Sequence, residues 1–458
     1  MQASQINAGA RLDRLPLSRF HRRILWLIGA GMFFDSFDIY LTGGVLGTLV
    51  KSGWSDMSHN ASFISATFIG MLIGALVAGF LGDRFGRRFS YQTNLAIFGI
   101  ASLAGALAPS IDWLIACRFV MGIGLGAEIV VGYATLTEFV PPEHRGRWAA
   151  LLSLITNSAV FVSTLLGYFI LPSIGWRWMF VIAGVGALAV WVARKAMPES
   201  PRWLEQAGHT AEAERVLARI EQEVAAEHPD TPLRAPVQGA VLPDRVGFAV
   251  LVGPTVIRRT LVGITLNVVI NMVIYGFIVW VPTFLVKQGL TINATLGYTT
   301  LMSLGGPVGA FAGYLLADRI GRKRGIVVVS CVAAILGIAY ASAGSIEIVT
   351  IVGFALFVAI FLLVSLAIAS YVPELFPTEY RLRGTGVCNT FGRLASIFVP
   401  YVVVALFGAG GLVYVLGLLI GLLALQAVIV ALLGVETNRQ SLEELAPAPV
   451  GLTPKGAI

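Results

Sequence analysis

The sequence predicts an all-α membrane protein with twelve transmembrane helices in two pseudo-symmetric bundles of six. Three observations lead there. Apolar residues make up 57% of the 458 positions and charged residues only 12%, which excludes an ordinary soluble domain of this length. A bilayer core of roughly 30 Å needs about 20 mostly apolar residues per helix, and the chain offers such runs at 24–48, 61–82, 90–109, 111–137, 148–171, 177–196, 260–286, 296–317, 325–344, 347–371, 384–407 and 411–433. Finally, the chain repeats itself. GDRFGRR at 82–88 returns as ADRIGRKR at 317–324, Arg22-Arg23 as Arg258-Arg259, EFVPPEHRGR at 138–147 as ELFPTEYRLR at 374–383, and MPESPR near 200, more faintly, as GVETNR near 437, all at an offset of 235 to 237. A duplicated helical unit around a shared central site is how secondary transporters alternate access.

The runs, numbered here as spans 1 to 12, divide the chain into a first bundle (1–196), a linker with an amphipathic helix (197–258), a second bundle (259–435) and a tail (436–458). Basic loops stay in the cytoplasm. Of the 32 Lys and Arg residues, only Lys51, Arg177 and Lys287 fall on the side opposite the termini, and only Arg118 and Arg393 are read as lying within spans, so both termini are expected in the cytoplasm. Membrane orientation and anionic lipid then account for the pI near 9.4, leaving little for a nucleic acid to explain. No cleavable signal peptide is expected before span 1. Cys117, Cys331 and Cys388 lie in spans without a metal or disulfide spacing, and the five histidines lie in loops or near span ends. Neither a metal site nor an enzyme is expected. In the linker, Ala213, Leu217, Ile220 and Val224 form a thin apolar stripe at helical spacing, expected to rest on the cytoplasmic ends of both bundles.

Within the spans each ionisable residue costs roughly 2.5 to 3.5 kcal/mol at the helix centre unless it finds water or a partner. Span 1 carries Asp35 and Asp38 on one face. Span 4 carries Arg118 in its outer half and Glu128 near its middle; because spans 1 and 4 run in opposite directions, Asp38 and Arg118 fall at similar depth. They form either a permanent ion pair or one that titrates. Gly122, Gly124 and Gly126 follow no strand, so they indicate close helix packing and not a dinucleotide loop. Span 7 combines Asn267 and Asn271 on one face with Tyr275-Gly276 and Pro282, a pattern for a broken helix, while Trp280 suits an anchor near the outer surface. Tyr275, Tyr133 and Phe37 could stack on a flat ring. Arg393 of span 11 corresponds to the uncharged Asn157 of span 5, so the repeat did not demand a charge there. Its partner is either Glu128 or Asp35, or an anionic substrate held by charge-assisted hydrogen bonds.

At the ends of the spans, Asp83, Arg84 and Arg87, repeated as Asp318 and Arg322, are expected to act as gates whose ion pairs differ between access states. Glu138 with Arg145 and Glu374 with Arg381 repeat an E-x6-R spacing, and Glu199 belongs to PESPR. The doubled D-R-x-G-R-[RK] cassette with twelve spans in two sixes resembles the major facilitator superfamily over nearly the whole chain. The E-x6-R pairs, PESPR and the GVETNRQSLEEL tail resemble the intracellular salt-bridge set of its sugar-porter-like branch, which implies bridges joining the two halves. In proton-coupled members of that branch, the positions matching Asp38 and Arg118 form a pair in which the aspartate takes the proton. GMFFDSFDIY, GLGAEIVVGYATLTEFVPPEHRGRW, YGFIVWVPTFL and PELFPTEYRLRGTGVCNTFGRLASI resemble the bacterial nicotinate transporter group (NiaP), which is related to the synaptic vesicle glycoprotein 2 proteins. The FGR around Arg393 is similar to the substrate-meeting arginine of organic anion transporters. Span 1 also resembles that of the aromatic acid/proton symporters, with Ser36 where those have glycine.

The resemblance implies a bacterial inner-membrane importer of a small aromatic monocarboxylate, nicotinate first, driven by a proton gradient without another cofactor and acting as a monomer. Arg393 would hold the carboxylate, with Tyr275, Tyr133, Phe37, Asn157, Asn267 and Asn271 around the ring; Asp38, Arg118, Asp35 and Glu128 would serve proton coupling. A sugar or organic-cation carrier, or a receptor on the same fold, are the alternatives.

Overall fold

The computed structural model describes residues 7–229, 248–253, 256–376 and 381–437, and is helical throughout its spans. Spans 1 to 6 are the helices Arg19–Lys51, Met57–Phe85, Arg87–Ala106, Ile111–Phe139, Pro142–Ser173 and Arg177–Ala193. Span 7 comprises Ile257–Val273, a π-helical turn Ile274–Ile278 and a restart at Val281–Lys287. Span 8 is Ile292–Ser303 continued by Gly305–Ile320, and span 9 is Arg322–Ala341. Span 10 runs from Ile346–Leu363 through the π-helix Val364–Tyr371 to Val372–Glu374. Spans 11 and 12 lie in the stretch Arg381–Leu433, which turns at Gly410 and Gly411; Gly411 has φ +70°, a left-handed conformation open to glycine. Nine segments among the described residues are long and apolar enough to cross a bilayer. One of them contains that turn, and the more polar span 3 and the interrupted span 8 complete the twelve.

The helices extend past the apolar runs because their polar ends reach the headgroup region. Their starts are capped by side chains that accept from the third residue's N–H: Asp56 from His59, Ser110 from Trp113, Thr291 from Ala294 and Ser345 from Ile348. Such oxygens satisfy backbone donors that have no partner within the helix. These caps also obey the repeat, since 56 and 291, like 110 and 345, stand 235 apart.

Glycine sets the packing of span 2 on span 4. A Cβ at Gly70 or Gly74 would collide with the carbonyls of Phe119 and Ile123, and one at Gly122 or Gly126 with those of Thr67 and Met71. Gly124 turns the other way, toward Asn94 and Phe98 of span 3. The glycine run of span 4 is thus a two-sided packing surface, while Gly305 and Gly309 of span 8, the repeats of Gly70 and Gly74, make the span 2 contact again against Phe354 and Val358 of span 10. Gly126→Ala should lower stability by roughly 1 to 3 kcal/mol through overpacking. A lower melting temperature in detergent is the expected reading, with no drop for Gly417→Ala, where nothing lies within 4 Å of an added Cβ.

Among the described residues, hydrogen bonds and ring contacts between the two bundles all lie in the half of the membrane remote from the linker. Ser65 donates to the Ile397 carbonyl at 2.6 Å, Thr164 and Ser303 share a hydrogen bond at 2.6 Å, and Lys51 reaches the Leu290 carbonyl at 3.2 Å. Gly43 and Gly47 admit Pro282. Trp280 is not a surface anchor: it is 1% exposed and stacked on Phe284. The linker helix Thr210–Glu227 buries the expected stripe, but among the described residues its acidic side chains bind the first bundle alone. Glu214 and Glu221 pair with Arg11 at 2.6 Å each, Glu221 also with Arg14 at 2.7 Å, Glu223 with Arg23 at 3.0 Å and Glu227 with Arg22 at 3.3 Å. Burial pushes the Glu221 carboxyl up, yet hydrogen bonds from Arg11 and Arg14 prevail and hold it below its ordinary range. Positions 230–247 of the linker and the tail beyond 437 lie outside the described residues.

Candidate functional site

Span 1 turns one polar face into the first bundle. Gly31, Asp35, Asp38 and Thr42 succeed one another at intervals of three or four residues, so they line one side of the helix. Asp38 is ion-paired and hydrogen-bonded to Arg118 with both side chains essentially inaccessible. Arg118 also donates to Thr42 at 2.9 Å and Thr67 at 3.2 Å, and its guanidinium lies 4.8 Å from the centre of the Phe63 ring. Its donors are therefore occupied on several sides, the condition under which a buried guanidinium is tolerated.

About two turns of span 1 toward the linker, at Gly31, lies a second buried pair. Glu128 meets Arg194 at 2.5 Å, each 1% exposed, and Arg194 donates to the carbonyls of Leu27 at 2.8 Å and Ile28 at 2.9 Å. Gly31 makes room for them: a Cβ there would collide with the Arg194 guanidinium and lie 2.8 Å from Glu128 Oε1. Two sequence readings are corrected by this geometry. Arg194 belongs to the interior and not to the basic flank of span 6, and Glu128 is its partner and not that of Arg393. Asp35, 1% exposed, lies beside this pair with no hydrogen bond to either oxygen.

In the second bundle Arg393 is half-buried, within electrostatic reach of Tyr275, and no carboxylate among the described residues pairs with it. Tyr275 packs on Phe68 of span 2 with ring centres 4.3 Å apart, and Tyr40 of span 1 lies 6.2 Å from Phe361 of span 10. An aromatic cluster thus closes the space between the bundles just beyond Arg393. Asn267 and Asn271 do share a face, but they knit span 7 to itself and to span 11. Asn267 donates to the Gly263 carbonyl at 2.9 Å and Asn271 to that of Asn267 at 2.7 Å, while Ser396 donates to Asn271 at 3.3 Å. On the opposite bundle, Asn157 donates to Ser153 at 3.1 Å, and Ser153 is also the hydrogen-bonding neighbour of Tyr133. Tyr133 joins the apolar cluster nearer the linker, so it does not form a sandwich with Tyr275. Phe37 packs at 1% exposure against Phe33 and Phe34 and is core.

At the linker end the two repeats build the same device. Arg87 pairs with Glu138 at 3.1 Å, and Arg322 with Glu374 at 3.1 Å. Glu199 accepts from the backbone N–H groups of Arg87 at 3.0 Å and Arg88 at 3.1 Å, at the start of span 3, and Glu436 accepts from that of Arg322 at 2.8 Å, at the start of span 9. A carboxylate at the positive end of a helix meets unsatisfied donors and a favourable dipole. Burial nevertheless raises the Glu199 carboxyl above its ordinary range, against the backbone hydrogen bonds it accepts. Glu138 and Arg145, which share the E-x6-R spacing, take different partners: Arg145 binds Asp13 at 2.7 Å and Glu138 binds Arg87. No bridge among the described residues joins the two bundles at this end. Arg84 is exposed over the Phe85 ring; the side chains of Asp83, Asp318 and Arg381 lie outside the described residues.

The sequence model of the Major Facilitator Superfamily matches residues 28–400 and 298–456. The chain belongs to the major facilitator superfamily. A relative within it, the inner membrane metabolite transport protein YdjE of Escherichia coli, is 38% identical over 96% of this chain and 98% of its own length. The niacin transporter NiaP of Acinetobacter baylyi is 32% identical over 95% of this chain and 99% of its own. The xylose transporter XylE of E. coli shares the fold, with a TM-score of 0.72 over 93% of this chain and 100% of that one at 18% identity. The protein is accordingly a multi-pass secondary transporter of small molecules and not an enzyme.

For a major facilitator protein, several interior residues escaped the sequence reading. Arg194 sits at the end of an apolar run, where a basic residue is read as a topology signal. Glu436 was visible only as a faint echo of Glu199, and Phe68, Tyr40 and Phe361 carry no charge to mark them among the many aromatic residues of the spans.

Proposed function

We propose that this transporter imports a small aromatic monocarboxylate, nicotinate first, across the bacterial inner membrane by proton symport, with the linker end cytoplasmic. The observation that carries the reading is Arg393. Arg118 and Arg194 each have a buried carboxylate, whereas Arg393 has none among the described residues, at a depth where an unpaired cation is costly. A carboxylate substrate supplies that partner, and a guanidinium fork suits it bidentately. Tyr275, half-buried beside Arg393, offers a ring face, and the Tyr133–Ser153–Asn157 group of the other bundle provides polar contacts for a ring nitrogen. The 32% identity with a niacin transporter supports nicotinate over other aromatic acids.

Binding would let the bundles rock about their midplane site so that it faces each side in turn. The Asp38–Arg118 pair would exchange the coupling proton, since protonating Asp38 releases Arg118 from its anion. Purified protein in proteoliposomes should concentrate labelled nicotinate when the outside is acidic and do so poorly with nicotinamide. Failure of a folded preparation to accumulate nicotinate would refute this substrate.

A further inference from the structure

Among the described residues, the first bundle holds three buried carboxylates, Asp35, Asp38 and Glu128, against two buried guanidiniums, Arg118 and Arg194. Asp38 belongs to Arg118, and Glu128 to Arg194. Asp35 is left over, with both oxygens buried and neither accepting a hydrogen bond. An ionised carboxylate so placed would be stripped of water and unpaired, a state proteins avoid by neutralising the group. The charged groups facing Asp35 are Glu128 from span 4, Arg194 from the end of span 6 and Asp38 on its own helix; Tyr91 of span 3 lies against Arg194, ring centre to guanidinium 5.6 Å.

We propose that Asp35 is a second proton site, separate from Asp38–Arg118, which holds a proton in this access state and releases it when Arg194 shifts to bridge it and Glu128. Gly31 lets the Arg194 head rest against span 1 one helical turn from Asp35, where side chains four residues apart are roughly 5 to 6 Å apart. The swing is therefore short. With Asp35 protonated, the trio of Asp35, Glu128 and Arg194 is neutral; with Arg194 shared between two carboxylates, it carries one negative charge. Resting on the symport reading, this makes the cycle carry two protons per monovalent anion, so that one net positive charge moves inward.

The site can be tested without any substrate. Infrared difference spectra of the purified full-length protein in lipid, taken across a pH titration, should contain at neutral pH the carbonyl stretch of a protonated carboxylic acid. Asp35→Asn should lose that band and Asp38→Asn should keep it. In Glu128→Gln, Arg194 has only Asp35 to bind, so the band should disappear at a lower pH than in the unmutated protein. A band that survives Asp35→Asn, or a titration unmoved by Glu128→Gln, overturns the proposal. In proteoliposomes, an inside-negative potential alone should drive nicotinate accumulation by the unmutated protein, while Asp35→Asn should respond to a pH gradient only, because asparagine leaves Glu128–Arg194 complete. Retention of the voltage response by Asp35→Asn removes Asp35 from the cycle. Absence of nicotinate transport by the unmutated protein refutes the substrate and leaves the infrared result to decide the proton site.

Discussion

Asp38→Asn is expected to abolish net accumulation of nicotinate while leaving exchange between two loaded faces of the membrane near its normal rate. Asparagine mimics the protonated side chain, so the loaded carrier reorients as before. The empty carrier does not. Its return requires Arg118 to be neutralised, and once the carboxylate is gone the guanidinium keeps the hydroxyls of Thr42 and Thr67, the Met121 sulfur and the Phe63 ring face, but no anion. A buried charge deprived of its partner costs on the order of 3 to 5 kcal/mol, which at about 1.4 kcal/mol per factor of ten is a slowing of at least about a hundredfold. Counterflow and pH-driven uptake measured on one preparation separate the two steps. Accumulation at the normal level when a pH gradient drives the mutant would remove Asp38 from the coupling mechanism.

Arg393→Ala should weaken nicotinate binding by about 10- to 150-fold, corresponding to a charge-assisted contact of roughly 1.5 to 3 kcal/mol. Arg393→Lys should recover only part of the loss, since an ammonium cannot present the planar fork that a carboxylate accepts. Nicotinamide, which has the same ring without the charge, should bind the unmutated protein weakly and lose little more in Arg393→Ala. Equal losses for acid and amide in a folded mutant would mean that Arg393 supports the structure without reading the carboxylate. Its surroundings make a discriminating result attainable. Asn271 and Ser396 tie span 11 to span 7 independently of the guanidinium, so its removal leaves that contact in place.

The architecture was legible in the sequence because a bilayer imposes length and composition on each helix and because the duplication copies functional positions at one offset. The Asp38–Arg118 pair was legible for a related reason: helix direction fixes depth, and few charges are available at any depth. Partners that depend on side-chain reach were not. Arg145 stands close to Glu138 in sequence, yet the N-terminal helix Ala8–Asp13 brings Asp13 to it, and Arg87 arrives at Glu138 from another span. Arg194 reaches Glu128 only because Gly31 has no side chain, a condition that hydropathy does not register. Tyr133 and Tyr275 are both aromatic and both in spans near the cleft, but their partners, Ser153 and Phe68, hold them apart.

The two glutamates that cap spans 3 and 9 also carry a meaning for how the chain is made. Glu199 follows Arg87 by 112 positions and Glu436 follows Arg322 by 114. As the ribosome delivers the chain from its amino end at about 5 to 20 residues per second, span 3 waits some seconds before the carboxylate that finishes it emerges, and that residue appears only after span 6. Each bundle is thus sealed by a residue made just after it. The first can mature while the second is still being synthesised, whereas a chain truncated just short of Glu436 would contain all twelve helices and still leave the second bundle unlatched.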